Sequence, residues 1–178
     1  MIIIITGATH TGKTQLAQKF LEEYHIPYFS LDHLKMGLIR SQYTDISVED
    51  DNKLTEYLWP IVREMIKTAI ENNQNMIVEG CYIPFDWISD FKEFYLKEIY
   101  FICLCMSDEY IESNFKTIMM NCSNIENRQD NTYCTIDLLK KQNRFYENGC
   151  IDHKLEYCLI DNNYSQTIQD YVSKIMSR

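Results

Sequence analysis

The chain has 178 residues, and its 26 acidic and 17 basic side chains give a formal net charge of −9. This length fits one domain spanning residues 1–178, and a hydrophobic content of 46% predicts a packed core, which excludes a disordered or fibrous chain. A surface of that sign repels a phosphate backbone, so nucleic acid is not an expected partner.

Apolar runs of strand length alternate with segments of helical period along the chain. The runs lie at 2–5, 27–31, 76–78, 99–106 and 157–160. Amphipathic helices are predicted between them, for example at 15–24 and 54–72. Strands that alternate with helices require crossover connections, so the pattern predicts an α/β fold in three layers, a five-stranded parallel sheet with helices on both faces.

Three residues suggest where the later helices begin and end. Ser47, followed three residues later by Asp50, resembles a helix start signal, and Pro60 is expected to kink or split the helix that follows. Gly149 is expected to end the helical stretch 136–148, because glycine is frequent just beyond a helix C-terminus.

The composition disfavours membrane spans, disulfides and structural zinc. The longest uninterrupted apolar run, 99–106, has eight residues, and a spanning helix needs about 20. The seven cysteines contain no Cys-x-x-Cys pair, and Cys103 and Cys105 alternate within that run as small buried hydrophobes. The apolar start also lacks the features of a signal peptide. We therefore expect a cytoplasmic protein with reduced thiols and no membrane partner.

A phosphate-binding motif occupies residues 7–14. The sequence Gly-Ala-Thr-His-Thr-Gly-Lys-Thr matches G-x-x-x-x-G-K-[ST], directly after a predicted strand and directly before a predicted helix. Gly7 and Gly12 allow the backbone N–H groups to surround an anion, and the following helix adds its positive end. Lys13 is expected to reach the β- and γ-phosphates of a nucleoside triphosphate, and the Thr14 hydroxyl to coordinate Mg²⁺.

The predicted nucleotide site is the whole loop and the start of its helix. Its members are Gly7, Ala8, Thr9, His10, Thr11, Gly12, Lys13, Thr14 and Gln15. His10 occupies a variable position of the motif and is expected to contribute its main chain.

Acidic residues follow four of the five predicted strands, where a parallel sheet brings its strand ends together. They are Asp32, Glu79, Asp108 (after Ser107) and Asp161. Oxygen ligands of this kind suit metal binding and proton transfer. Asp32 and Asp108 precede helical segments and are also candidates for helix N-caps. Glu79 is followed by Gly-Cys-Tyr-Ile-Pro, so capping does not explain it.

With these motifs, the chain resembles the small P-loop kinases, the group of adenylate kinase, shikimate kinase, chloramphenicol phosphotransferase and the zeta toxin kinases. Residues 30–35, Ser-Leu-Asp-His-Leu-Lys, resemble the stretch where these kinases place the residue that orients or deprotonates the acceptor hydroxyl. The resemblance makes Asp32 the general base, with Lys35 and Arg40 in contact with the acceptor.

Two further segments carry the resemblance. Residues 77–80, Ile-Val-Glu-Gly, resemble the Asp-Gly or Glu-Gly segment of these kinases, which implies that Glu79 holds a magnesium-bound water or an acceptor hydroxyl. Residues 128–131, Arg-Gln-Asp-Asn, resemble the arginine-bearing part of a lid, expected around 121–134. Arg128 is then expected to stabilise the charge on the transferring phosphoryl group, assisted from the next helix by Lys140, Lys141 and Arg144.

The sequence also departs from the nucleotide kinases. Ile83 stands where adenylate kinases carry an arginine for the acceptor phosphate, and Asn114 replaces the arginine expected to stack on adenine. These differences argue against adenosine monophosphate as acceptor. Tyr82, Phe85 and Trp87 follow Glu79 and are candidates to line an acceptor pocket or to pack in the core.

The sequence therefore predicts a small-molecule or nucleotide kinase that uses ATP and Mg²⁺, acts on a hydroxyl or phosphate of an unidentified small molecule, and is a monomer or homodimer. Three alternatives stay open. They are an NTPase switch that acts with a protein partner, a toxin-like kinase of a nucleotide sugar, and a nucleotide-binding module without catalysis.

Overall fold

A computed structural model of the protein describes residues 1–121 and 134–177. The strands in this part of the chain are β1 (Ile2–Gly7), β2 (Tyr28–Ser30), β3 (Met76–Glu79), β4 (Ile99–Met106) and β5 (Tyr157–Ile160). The helices are α1 (Lys13–Tyr24), α2 (Leu31–Arg40), α3 (Asp51–Glu71), α4 (Glu93–Leu96), α5 (Asp108–Asn121), α6 (Ile136–Asp152) and α7 (Tyr164–Met176), with a 3₁₀ turn at Trp87–Asp90.

The strands form one parallel sheet in the order β2-β3-β1-β4-β5, so the predicted five-stranded α/β fold is confirmed. β1 lies at the centre, with β3 on one side and β4 on the other. The strand order therefore reverses direction at β1. In open α/β sheets, ligands bind outside the carboxyl ends of the strands at this point. The loop that follows β1 starts at Gly7, at this point of the sheet edge.

Helices cover both faces of the sheet. On one face, Ile3 and Ile5 belong to a core that α1, α5 and α7 complete. On the other face, Ile2 and Ile4 belong to a core that α2 and α3 complete. Successive strand residues point to opposite faces, so a central strand must be apolar at every position. This explains the uninterrupted isoleucine run of β1.

The start of α3 differs from the prediction. Asp50, and not Ser47, caps this helix, because its carboxylate accepts a hydrogen bond of 3.2 Å from the Lys53 amide. Pro60 does not split α3, which runs as one helix from Asp51 to Glu71.

Serines, and not the predicted aspartates, occupy the N-cap positions of α2 and α5. Ser30 is the N-cap residue of α2, with Asp32 inside the first turn. Before α5, the Ser107 hydroxyl accepts a hydrogen bond of 3.1 Å from the Tyr110 amide. Capping therefore explains neither Asp32 nor Asp108.

The prediction that Gly149 ends a helix is wrong. α6 continues through Gly149 to Asp152, and His153 is its C-cap. The reason for a glycine is a close approach. A Cβ atom at this position would lie 2.2 Å from Cζ of Phe85. Phe85 in turn packs against Phe145, Tyr146 and His153.

Gly149→Ala is expected to destabilise the protein by about 1–2 kcal/mol, because the Phe85 ring must move and this cost exceeds the helix-propensity gain. The matched control is Gly37→Ala in α2, where no atom lies within 4 Å of the added Cβ. It is expected to stabilise the fold by about 0.5–1 kcal/mol. Urea unfolding measures both, and equal stabilisation by the two substitutions would contradict the packing argument.

The run 99–106 forms β4, and Cys103 and Cys105 are buried within it as predicted. Across the residues that the structure describes, none of the helices combines the length and the apolar character needed to cross a membrane.

Candidate active site

The phosphate-binding motif forms the connection between β1 and α1, in the context that its sequence predicts. Gly12 is the N-cap residue of α1, and the Leu16 amide donates the first intrahelical bond to its carbonyl at 2.9 Å. The N–H groups of Lys13, Thr14 and Gln15 lie in the first turn, before the helix can supply acceptors for them. They give the loop the positive end of α1.

Both motif glycines are required by close contacts as well as by backbone angles. Gly7 has φ +132°, and a Cβ atom there would lie 2.2 Å from the Leu104 carbonyl oxygen of β4. Gly12 has φ +85°, and a Cβ atom there would lie 2.0 Å from the hydroxyl oxygen of Tyr164. A side chain at either position would therefore displace the loop from its neighbours.

Lys13 is buried, and its ammonium group lies against the loop. Nζ donates hydrogen bonds to the carbonyl oxygens of Gly7 (3.1 Å) and Ala8 (2.8 Å). The Thr11 hydroxyl, also buried, donates to the Ala8 carbonyl at 2.8 Å. These bonds hold the charge of Lys13 inside the curve of the loop.

Thr14 and Glu79 meet although 65 residues separate them in the sequence. The Thr14 hydroxyl donates to Oε2 of Glu79 at 3.3 Å. Glu79 ends β3 in register with Ile5 of β1 and Ser30 of β2, and only 2% of it is exposed. The structure thus brings a carboxylate from the neighbouring strand to the first turn of α1.

A second group joins α2 to the chain after β3. Lys35 Nζ lies 2.8 Å from Oδ1 of Asp32 and donates a hydrogen bond of 2.6 Å to the Tyr82 hydroxyl. Burial by itself lowers the pKa of Lys35, but the hydrogen bonds to Asp32 and Tyr82 outweigh it and raise the pKa above its ordinary value. Burial raises the pKa of Tyr82, and Lys35 offsets part of that shift. Lys35 is therefore charged and Tyr82 neutral at physiological pH.

The remaining predicted cations lie elsewhere. Arg40 is exposed at the last residue of α2, two turns beyond Asp32. On the β4–β5 side, Lys140 of α6 pairs with Glu112 of α5, and Arg144 of α6 pairs with Asp108 of α5. Arg128 and nearly all of the predicted lid 121–134 lie outside the described residues.

The four acidic residues of the carboxyl edge do not form one cluster. Glu79 contacts Thr14, Asp32 pairs with Lys35, and Asp108 pairs with Arg144. Asp161 accepts a hydrogen bond of 2.8 Å from the Ser107 hydroxyl. Glu79 and Asp32 thus lie on the β2–β3 side, and the other two have partners on the β4–β5 side.

The three aromatic residues predicted to line a pocket or pack in the core all pack against the core, and Phe85 is only partly buried there. Tyr82 and Trp87 are buried, and the Trp87 ring stacks on Phe101 of β4. Only Tyr82 also takes part in the polar group with Lys35.

Tyr164 is a loop contact that the sequence patterns did not reveal. It is the first residue of α7, and its hydroxyl lies 3.5 Å from the Thr11 carbonyl oxygen, 153 residues away in the sequence. Burial raises its pKa. The sequence offered one signal for this contact, which is that Tyr164 closely follows β5 and so lies at the carboxyl edge of the sheet.

Comparisons with solved structures find this fold in small kinases. The chain is similar to shikimate kinase from Aquifex aeolicus, with 12% identity over 99% of this chain and 97% of that chain and a TM-score of 0.53. It is similar to deoxyadenosine kinase from M. mycoides, with 15% identity over 100% of both chains and a TM-score of 0.56. A sugar kinase from Janibacter sp. shares 14% identity over 97% of this chain and 92% of that one, with a TM-score of 0.55.

No protein-family model matches the sequence, and no curated protein gives a significant match. At identities this low, the structural likeness establishes the fold. The chain has the fold of the small P-loop kinases, as its motifs predicted.

Proposed function

We propose that this protein is a phosphotransferase that moves the γ-phosphoryl group of Mg-ATP to a small-molecule acceptor. One observation carries the proposal. The first turn of α1 presents Lys13 and Thr14, and the buried carboxylate of Glu79 from β3 lies 3.3 Å from the Thr14 hydroxyl. A buried carboxylate would repel an anion in a loop that only binds anions, whereas in metal-assisted phosphoryl transfer it helps to hold the metal ion.

The loop suits the phosphate tail of a nucleotide. At both motif glycines the backbone lies too close to Leu104 or Tyr164 for a Cβ atom, and the first turn of α1 supplies main-chain N–H groups for phosphate oxygens. Lys13 exchanges its bonds to the Gly7 and Ala8 carbonyls for bonds to phosphate oxygens, which are stronger because both partners are charged.

The residues beside the loop also fit Mg²⁺, which prefers oxygen ligands and keeps several of its waters. The Thr14 hydroxyl would hold the ion directly and the Glu79 carboxylate would hold it through water, and an ion held there would supply neutralisation of charge on the phosphate oxygens.

Asp32 is the proposed general base. In the transfer step, the acceptor oxygen bonds to the γ-phosphorus, the bond from that phosphorus to the bridging oxygen breaks, and ADP leaves. The acceptor proton passes to the Asp32 carboxylate. Lys35, which is itself held by the Tyr82 hydroxyl, orients that carboxylate, and Arg128 is proposed to stabilise charge on the transferring group.

Two measurements test this function directly. Calorimetry is expected to detect binding of Mg-ATP, and incubation of Mg-ATP with a metabolite extract is expected to yield products heavier by one phosphate. Sustained hydrolysis without such a product, stimulated by a protein partner, would instead favour the NTPase switch. No binding of Mg-ATP or Mg-GTP would contradict both functions.

Tyr164→Ala is expected to weaken Mg-ATP binding about tenfold, because the loop loses the ring that supports Thr11 and Gly12. Tyr164→Phe keeps the ring and is expected to bind within about twofold of the unaltered protein. Tyr171→Ala is the control. It removes a tyrosine of the same helix whose hydroxyl bonds to Tyr157 and not to the loop. Equal loss of affinity in both alanine variants, measured by calorimetry, would indicate general destabilisation of α7.

A further inference from the structure

The segment 80–82 follows β3 at the carboxyl edge of the sheet and contacts the phosphate loop. The Cys81 thiol donates a weak hydrogen bond to the Gly7 carbonyl oxygen, at 3.7 Å. Lys13 donates to the same oxygen at 3.1 Å. The segment and the ammonium group that is proposed to bind the phosphates are therefore held by one carbonyl group.

The same segment reaches the proposed general base through Tyr82. Only 4% of Tyr82 is exposed, and its hydroxyl accepts a hydrogen bond of 2.6 Å from Lys35. Lys35 Nζ in turn lies 2.8 Å from Oδ1 of Asp32. A displacement of segment 80–82 would therefore move the partner of Lys35 and change the orientation of the Asp32 carboxylate.

A side chain of α6 holds segment 80–82 by its backbone. The Tyr146 hydroxyl donates to the Cys81 carbonyl oxygen at 3.1 Å, although 65 residues separate the two in the sequence. Burial raises the pKa of Tyr146 well above its ordinary value, so the hydroxyl keeps its proton and remains a donor. The peptide group between Cys81 and Tyr82 is thus fixed by a residue that belongs neither to the phosphate loop nor to α2.

Aromatic packing fixes the Tyr146 ring itself. The centroid of this ring lies 5.8 Å from that of Phe85, in the edge-to-face arrangement that aromatic pairs prefer. Phe85 is held against α6 by a further ring contact with Phe145 and by its close approach to Gly149. The Tyr146 hydroxyl therefore has a defined position from which it can hold the segment.

From these contacts we infer that Tyr146 is a positioning residue of the phosphoryl transfer. Its hydroxyl fixes the peptide group between Cys81 and Tyr82. Tyr82 then fixes Lys35, and Lys35 orients the Asp32 carboxylate relative to the phosphate loop. The inference rests on the proposed phosphotransferase function and deepens it, since it adds a residue of α6 that acts on the reaction through other residues.

Tyr146→Phe tests this role, because it removes one oxygen atom and keeps the ring among its aromatic neighbours. Transfer is measured with ATP labelled in its γ-phosphate and serial dilutions of one metabolite extract, and Lys13→Ala protein gives the background from contaminating kinases. We expect kcat to fall about tenfold. The KM for Mg-ATP and the apparent KM for the extract are each expected to stay within about twofold of the unaltered protein.

Tyr171→Phe is the matched control. The Tyr171 hydroxyl also donates to a backbone carbonyl, that of Tyr157, at 2.6 Å. Tyr157 is the first residue of β5, at the opposite end of the strand from the carboxyl edge. Both variants lose a bond of the same kind, so we expect similar decreases in their thermal unfolding midpoints, with kcat unchanged in Tyr171→Phe.

A double-mutant cycle shows whether Tyr146 acts through Lys35. Lys35→Met alone is expected to lower kcat about tenfold, because it breaks the connection between Tyr82 and Asp32. Adding Tyr146→Phe to this variant is then expected to lower kcat by less than about twofold more. A general loss of structure would instead lower kcat by the same factor in both backgrounds.

The outcomes separate the inference from the function on which it rests. Unchanged kcat in Tyr146→Phe, an equal loss in Tyr171→Phe, or a further tenfold loss in the Lys35→Met background would overturn the positioning role and leave phosphoryl transfer intact. Loss of folding in Tyr146→Phe would also overturn it, because the bond would then be structural. If the unaltered protein formed no labelled product above the Lys13→Ala background, phosphoryl transfer itself would be overturned, and the inference with it.

Discussion

Lys13→Ala is expected to lower kcat/KM for phosphoryl transfer by at least about a thousandfold. The Lys13 ammonium group is the one positive side chain that the described structure holds inside the phosphate loop, where it bonds to the Gly7 and Ala8 carbonyls. Without the Lys13 ammonium group, this positive charge no longer stabilises the negative charge that develops on the transferring phosphoryl group. Calorimetry with Mg-ATP and an assay of labelled product measure the two losses separately.

Lys19→Ala is the matched control for this substitution. Lys19 lies in the same helix, but its ammonium group pairs with Glu23 at the surface. Such exposed pairs contribute little to stability, so this variant is expected to bind and transfer normally. If Lys13→Ala kept full activity while both variants remained folded, the loop would not be the phosphate site.

Asp32→Asn is expected to lower kcat by about a hundredfold to ten-thousandfold, with nucleotide affinity within about twofold of the unaltered protein. The amide has nearly the same shape and still accepts a hydrogen bond from Lys35, but it cannot take the acceptor proton. Single-turnover transfer and calorimetry together make the measurement.

Glu79→Gln separates the two carboxylates of the β2–β3 side. Glu79 accepts a hydrogen bond from Thr14, so its loss is expected to raise the Mg²⁺ concentration needed for half-maximal activity. If transfer survived in Asp32→Asn and was abolished in Glu79→Gln at saturating Mg²⁺, the general base would be Glu79 and not Asp32.

The parts of the fold that were predictable are those whose signal is local. The isoleucine run of β1 and the glycine, lysine and threonine of the loop lie within the first 14 residues. The conformation of this segment follows from its own residue types. Alternation of strands with helices then leaves few topologies, because parallel crossovers have one hand.

The helix boundaries show where local signals fail. Gly149 has the sequence features of a helix end, yet it lies inside α6. The close approach of the Phe85 ring explains why this residue is a glycine. Asp108 reads as a cap, yet Ser107 takes that position and Asp108 pairs with Arg144. In each case the deciding atom comes from a residue distant in the chain or from a competing neighbour, and single-residue preferences do not contain it.

By itself, the sequence determined the phosphate loop, the five parallel strands and the set of acidic residues at their ends. Only the tertiary structure decided which partners those residues have. It joins Glu79 to Thr14, Asp32 to Lys35 and Tyr82, and Tyr164 to the loop. The physical reason is that a motif of consecutive residues specifies its own backbone, whereas the charge and orientation of a side chain depend on neighbours that strand register and helix packing bring from elsewhere.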